Sequence, residues 1–368
     1  MVYSVMPMFL LSIGASKTSL ALIEGIAEST ASLIKALSGF WSDRIGRNKP
    51  FMLIGYGLSA LMIPLYALVV SPVQVLLIRF SERFGKGIRT APRDSLIAAA
   101  TLNNETGKSF GFQKAMDNSG AITGPLLAFV LLMLAPGRYR LIFLLAAVPA
   151  ILAIFVIIFG IREARKHKNE RLQRFQPKDF SPRFYFFLFI VFVFTLGNST
   201  DALLLVKANE VGVKVAFIPL VFLITNLVSV LDAVPLGILS DRIGKEKVIL
   251  TGFLIYALVY FGFGVSKGIG PIISLFALYG FYSAATDGIQ KAFIADMTGK
   301  NLKGTGMGIY NALLGITLLP ASLIAGYLYD QVNSSVPFYF GAGTALLATG
   351  LMTLYILTSF KTKHLSGR

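Results

Sequence analysis

Apolar runs of about 20 residues, separated by short polar breaks, fill almost the whole chain. Runs long enough to cross a ~30 Å hydrocarbon core lie at 17–39, 51–70, 74–98, 109–135, 141–160 and 184–206. Five more lie at 214–238, 248–266, 271–296, 306–329 and 336–359. A shorter run, Met1 to Ser12, precedes them and reaches only about 18–20 Å at the helical rise. The pattern therefore predicts eleven full helical spans and one stub. Most breaks are turn-like, as at Ser71-Pro72, Pro136-Gly137 and Lys267-Gly268. The exception is 161–183, a polar segment with eight Lys/Arg. It reads as a cytoplasmic linker between an N-terminal bundle, 1–160, and a C-terminal bundle, 184–368, that ends in a short tail. The expected fold is all-α: a polytopic membrane protein of two pseudo-symmetric six-helix bundles, with the first helix incomplete.

Composition excludes the other broad classes. The chain is 55% hydrophobic and 14% charged, with mean hydropathy +0.71, whereas soluble domains carry about 25% charge. It has no Cys, so no disulfide framework, thiol nucleophile or thiolate metal site is expected. The two histidines, His167 and His364, sit in charged polar stretches, which leaves no histidine metal cluster or intramembrane histidine relay. No cofactor is expected. The net charge of +16 would suggest nucleic acid in a soluble protein, but here its location decides. The side that holds the 40–50 loop, the linker and the tail collects 20 Lys/Arg, against 6 on the other side. By the positive-inside rule that side is cytoplasmic. The expectation is a multi-pass protein of the cell membrane with both termini inside, embedded in lipid, monomeric and without a nucleic-acid partner.

The chain also repeats itself. The segment 39–49, Gly-Phe-Trp-Ser-Asp-Arg-Ile-Gly-Arg-Asn-Lys, returns at 237–247 as Gly-Ile-Leu-Ser-Asp-Arg-Ile-Gly-Lys-Glu-Lys, identical at seven of eleven positions and offset by 198. Gly14 and Gly212 share that offset, and Ile97-Ala98 matches Ile294-Ala295 at 197. A duplicated six-helix unit accounts for this, and internal repeats are a mark of secondary transporters. Met1 then corresponds to Ser199, so about sixteen residues of span seven and its flank have no counterpart in the first half. The chain is expected to begin inside its first helix, and a longer form is expected to transport better.

The segment Gly39, Asp43, Arg44, Gly46, Arg47, with its second copy Gly237, Asp241, Arg242, Gly244, resembles the best-known signature of the major facilitator superfamily. In span four, Arg79, Glu82, Arg83, Gly85, Lys86 and Gly87, followed by Pro92, resemble its second motif. In span five, Gly120, Gly124 and Pro125 resemble the G-x-x-x-G-P motif of its drug/proton antiporters; they also read as simple helix packing. The chain departs from these patterns at Asn48, Arg83 and Ala128. The resemblance implies that the first signature is a conformational latch, and that spans one, four, seven and ten line a central cavity. The residues themselves give two glycines for close contact and a tight turn, and cations at the lipid boundary. A basic membrane anchor would explain the cations alone. A pair between Arg47 and Asp94 is expected, with Lys245 and Asp296 as its analogue.

Ionisable residues inside spans point to function, because each costs roughly 2.5–3.5 kcal/mol at a span centre. Span four carries Arg79, Glu82, Arg83, Lys86, Arg89, Arg93 and Asp94, mostly on one helical stripe. This leaves +3, to be neutralised by Glu24, Asp43 and Asp117 or by an anionic substrate held by Arg83 and Arg89. Spans seven and ten add Asn198, Asp201, Asp287 and Gln290; Asp287 and Lys291, four apart, are placed to pair. Glu82, Asp117, Asp201 and Asp287 are the candidate proton carriers. The expected function is secondary active transport of a small solute by alternating access, in the form of proton-coupled efflux. Uptake of a small organic anion is the alternative. A membrane-embedded enzyme finds no catalytic motif here, and a sensor without transport remains a further class.

Overall fold

In the computed structural model the described residues are 1–45, 47–100, 106–161, 180–198, 200–298 and 303–366, without the side chains of 36, 39, 40, 42–44, 95, 98–100, 106–115, 118, 303–304 and 359–366. Among the described residues there is helix and no strand. The elements are α1 (Val2–Ser12), α2 (Lys17–Ile45), α3 (Lys49–Leu65), α4 (Pro72–Ala100), α5 (Thr106–Leu134), α6 (Tyr139–Phe155), α7 (Pro182–Gly197), α8 (Asp201–Glu210), α9 (Ile218–Ile243), α10 (Lys245–Val265), α11 (Ile269–Met297), α12 (Lys303–Gln331) and α13 (Val336–Ser366). A 3₁₀ turn, Tyr66–Leu68, extends α3, and a π-helical turn, Val156–Gly160, extends α6. Among the described residues eight helical stretches are long and apolar enough to cross a membrane: Lys49–Leu68, Tyr139–Gly160, Pro182–Glu210, Val215–Ile243, Lys245–Val265, Ile269–Met297, Thr305–Gln331 and Val336–Thr358. Helices α2 and α4 are each 29 residues long, but their charges keep them out of that set.

A further departure from the predicted spans is at 184–206, where a single helix was expected. The structure instead breaks it between Gly197 and Asp201. Asn and Thr side chains compete with helical hydrogen bonds. Thr200 adopts an extended conformation and its side chain accepts the Ala202 N–H at 3.3 Å, which caps α8.

The chain divides into two compact units, Met1–Arg174 with Val215–Leu220, and Phe175–Lys214 with Val221–Arg368. In unit one, α4 packs against α2 and α3, and α3 against α6. Gly55 and Gly85 let α3 and α4 touch backbone to backbone: a Cβ on Gly55 would lie 2.5 Å from the Gly85 carbonyl oxygen. In unit two, α10 packs against α11 and α13, and α13 against α7. Its core is aromatic, with Phe194 stacked on Phe253 at 4.1 Å and Tyr256 on Tyr260 at 4.0 Å.

The repeat is visible in the backbone. Gly14 (φ +85) and Gly212 (φ +111) end α1 and α8 in the left-handed region. The residue after each donates to the same relative acceptor: Ala15 N to Leu10 O, and Val213 N to Ala208 O, both 3.0 Å. A non-glycine residue in this conformation costs about 1–2 kcal/mol. Gly14→Ala and Gly212→Ala should therefore each lower the melting temperature in detergent, while Gly57→Ala, which meets open space, should not. Unchanged melting of both cap variants would contradict the shared turn.

Candidate functional site

In unit one the charged stripe of α4 meets α2, α3 and α5. Arg79 is 1% exposed and held by both oxygens of Glu24, also 1% exposed: Nε donates to Oε1 and Nη2 to Oε2, each at 3.0 Å. Its Nη1 reaches Glu82 Oε2 at 3.1 Å, and the Tyr66 hydroxyl donates to the same oxygen at 3.0 Å. One turn along, Arg83 Nη1 pairs with Glu28 Oε1 at 3.0 Å. The Tyr3 ring lies 5.6 Å from the Arg79 guanidinium and 5.9 Å from that of Arg83. Arg89 has no carboxylate in this set; Nη1 donates to Ser59 Oγ at 3.1 Å and the guanidinium lies 4.1 Å from the Tyr56 ring. Arg93 binds Asp94 at 3.1 Å and reaches Asp117 at 3.5 Å. Lys86 is exposed.

Five cations, Arg79, Arg83, Lys86, Arg89 and Arg93, and five carboxylates, Glu24, Glu28, Glu82, Asp94 and Asp117, gather along this stripe, with ion pairs at Arg79, Arg83 and Arg93. The +3 excess on span four is cancelled by fixed groups from neighbouring helices. Of the partners expected from sequence, Glu24 and Asp117 are in place, and Asp43 lies outside the described side chains. Glu28 was missed, although the signal was there: Glu24 and Glu28 are four apart on one helix, as Arg79 and Arg83 are on another, so two turns of α2 register with two turns of α4.

Unit two places different chemistry at the corresponding positions. With the 198 offset in α9 and 197 in α11, Glu24 becomes Phe222, Glu28 becomes Asn226, Arg79 becomes Phe276, Glu82 becomes Tyr279 and Arg83 becomes Gly280. The polar groups gather at the break in span seven instead. The Tyr256 hydroxyl donates to the Gly197 carbonyl at 3.0 Å and lies 3.4 Å from Asn198 Oδ1. Asn198 Nδ2 donates to Tyr282 at 3.3 Å, and the Tyr279 hydroxyl donates to Asp201 Oδ1 at 2.6 Å. Asp201 is the first residue of α8, where a negative charge suits the helix dipole. Gln290 is buried and accepts from Tyr310 at 2.8 Å. Asp287 is exposed and takes the Ser283 hydroxyl at 2.8 Å; the expected pair with Lys291 does not form, and in the exposed position both charges are met by solvent.

The two latch segments differ. Lys245 bridges Asp241 at 3.0 Å and Asp296 at 2.9 Å, as expected from the sequence. Arg47 and Asp94 do not pair: Arg47 is exposed, and Asp94 is held by Arg93. Register explains this. At the 197 offset Asp296 corresponds to Ala99, and Asp94 to Lys291, so Asp94 sits five residues, about 7.5 Å of helix, away from the analogous position. Gly244 (φ +101) makes the tight turn, whereas a Cβ on Gly237 would meet nothing within 4 Å, so no close helix contact forms there. Arg242 is exposed. The surroundings of Gly39, the side chains of Asp43 and Arg44, and Gly46 lie outside the described residues. In span five, Pro125 is buried and Gly120 meets nothing within 4 Å; a Cβ on Gly124 would lie 2.6 Å from the Met1 nitrogen, which marks where α5 approaches α1.

Removing one partner of a buried pair strands the other charge and costs about 3–5 kcal/mol. Glu24→Leu alone should therefore abolish folded protein, as judged by size-exclusion chromatography after detergent extraction. Combining it with Arg79→Met, which brings this position close to the apolar chemistry of unit two, should restore much of the yield. Equal yields for the single and double variants would show that the pair is not what holds α2 to α4.

The Major Facilitator Superfamily model matches residues 1–206 and 185–367. An uncharacterized MFS-type transporter of Methanocaldococcus jannaschii is 33% identical over 362 residues, covering 97% of this chain and 90% of the relative. Multidrug resistance protein 2 of Bacillus subtilis is 22% identical, covering 96% and 90%. Among solved structures, a POT family transporter in complex with 5-aminolevulinic acid superposes with TM-score 0.79 at 13% identity over 96% of this chain and 92% of that one. The nucleoside transporter NupG gives 0.74 at 13%, over 96% and 94%. Together with the helical repeat and the charged span, these matches place the chain in the major facilitator superfamily: it is a multi-pass membrane transporter and not an enzyme.

Proposed function

We propose that this protein exports a small solute across the cell membrane in exchange for protons, working as a monomer by alternating access, with both termini in the cytoplasm. The observation that carries the reading is the break in span seven. An interrupted helix at membrane depth is tolerated only where its backbone is buried in protein or lines a cavity, and in transporters such breaks mark the binding site. Here tyrosine hydroxyls and Asn198 satisfy the broken turn, and Asp201 opens the half-helix. Multidrug resistance proteins 1 and 2 of Bacillus subtilis are among the relatives, which favours efflux.

The coupling proton is assigned to Asp201 and Asp287. Glu24, Glu28, Glu82 and Asp117 each serve as a counter-charge to an arginine, so protonating any of them would strand a cation. Asp201 accepts the Tyr279 hydroxyl and Asp287 the Ser283 hydroxyl, and a hydroxyl can accept as well as donate, so each contact survives when the carboxylate gains a proton. In proteoliposomes containing a pH-sensitive dye, Asp201→Asn or Asp287→Asn should cut solute-driven proton flux by about tenfold or more, while solute counterflow continues. Wild-type proton flux in both variants would overturn the assignment.

Arg89 favours a second reading, uptake of a small organic anion. Its guanidinium is held by a hydroxyl and a ring, which leaves it suited to bind a carboxylate or phosphate. On that reading Arg89→Gln raises the KM for an anion with normal expression. Unchanged KM for every anion transported would leave efflux alone standing.

A further inference from the structure

One cavity belongs to neither the charged span nor the broken one. It lies where the end of α1 meets the turn into α6, and measures about 400 Å³. Phe9, Ser12 and Ile13 form one side; Gly137, Arg138, Tyr139, Arg140 and Leu141 form the other. These eight lining residues include two arginines and no carboxylate, unlike every other cationic cluster described above. Gly137 (φ +74) turns the chain so that Arg138 and Arg140 flank the opening. Arg140 Nη2 is anchored on the Val69 carbonyl at 3.2 Å, and both Arg138 and Arg140 are exposed. The wall is apolar and ordered: Phe9 meets Tyr139 edge to face at 6.0 Å and Phe143 at 5.0 Å.

Depth says what anion reaches it. Tyr139–Gly160 is a 22-residue apolar stretch, so its first residues lie at the membrane–water boundary. Its far end is held by Lys49 Nζ, which donates to the Ile158 and Ile161 carbonyls. The two arginines therefore stand at the opposite boundary, the one with only 6 of the chain's 34 Lys/Arg. Phospholipid headgroups place their phosphates at the membrane–water boundary of either leaflet, and guanidinium groups match phosphate oxygens in pairs.

We propose that this cavity is a phosphate-ester site: Arg138 and Arg140 bind the phosphate, and Phe9 and Tyr139 carry the glycerol and the start of an acyl chain. An anionic lipid seated there would fasten the last turn of α1 to the α5–α6 turn. A soluble phosphate ester shares the same chemistry, and the test separates the two.

The full chain, purified in detergent, is titrated with phosphatidylglycerol, and bound lipid is counted by native mass spectrometry. Arg138→Gln should weaken retention about tenfold, the size of one lost charge-assisted hydrogen bond, and Arg138→Lys should recover part of it. Lys267→Gln, an exposed cation in the turn between α10 and α11, should change nothing. Soluble glycerol phosphate is added in a second arm. Failure to displace the lipid identifies the ligand as a headgroup, and displacement at similar concentration identifies a free phosphate ester. Equal retention by wild type and Arg138→Gln, or an equal loss in Lys267→Gln, would overturn the site.

Discussion

A buried arginine must have its counter-charge supplied by the protein, and in unit one that requirement organises the packing. Arg79 and Glu24 are each 1% exposed and meet through two parallel hydrogen bonds. That geometry fixes α2 against α4 in rotation and in register, since a slip of one residue would turn either group away from the other. The second pair, Arg83 with Glu28, follows one turn later, and Glu82 closes the set through Tyr66 of the 3₁₀ turn that extends α3. Isolated buried ion pairs contribute little net stability, but breaking one is expensive. The network's main effect is therefore specificity: it allows one seating of α4 and penalises the alternatives.

Unit two solves the same packing problem without charge. Where unit one has Glu24 and Arg79, it has Phe222 and Phe276; where unit one has Glu82, it has Tyr279. Replacing a buried ion pair by apolar side chains is often neutral or stabilising, so the two halves of a duplicated chain can keep one architecture with opposite interiors. In the ionic half the α4 stripe is balanced, and Glu24, Glu28, Glu82 and Asp117 each pair with an arginine. In the aromatic half two acidic groups of spans seven and ten, Asp201 and Asp287, accept from hydroxyls.

The broken span gives that half its chemistry. Interrupting a helix frees carbonyl and amide groups that cannot be left bare in a bilayer. Tyr256 takes the Gly197 carbonyl, Asn198 joins Tyr256 to Tyr282, and Thr200 caps the next helix. Tyr256 also meets Phe194 and Tyr282 edge to face and stacks on Tyr260, so the rings that build the core deliver the hydroxyls to the break.

The sequence alone determined the helical class, the order of the apolar runs, the repeat with its shared offset at Gly14 and Gly212, and the set of ionisable residues, because each rests on local pattern: run length, periodicity or a residue at a fixed offset. It also named Glu24 and Asp117 as partners for span four and Lys245 with Asp296. It did not give the break at Asn198, since an apolar run reads as one helix until the competing Asn and Thr side chains find partners on α10 and α11. Nor did it give Glu28 opposite Arg83, or the separation of Arg47 from Asp94. Those depend on how two helices rotate and slide against each other. A residue's place on its own helix is set by sequence spacing, but the face it meets on another helix is set by packing, and only the tertiary structure decides that.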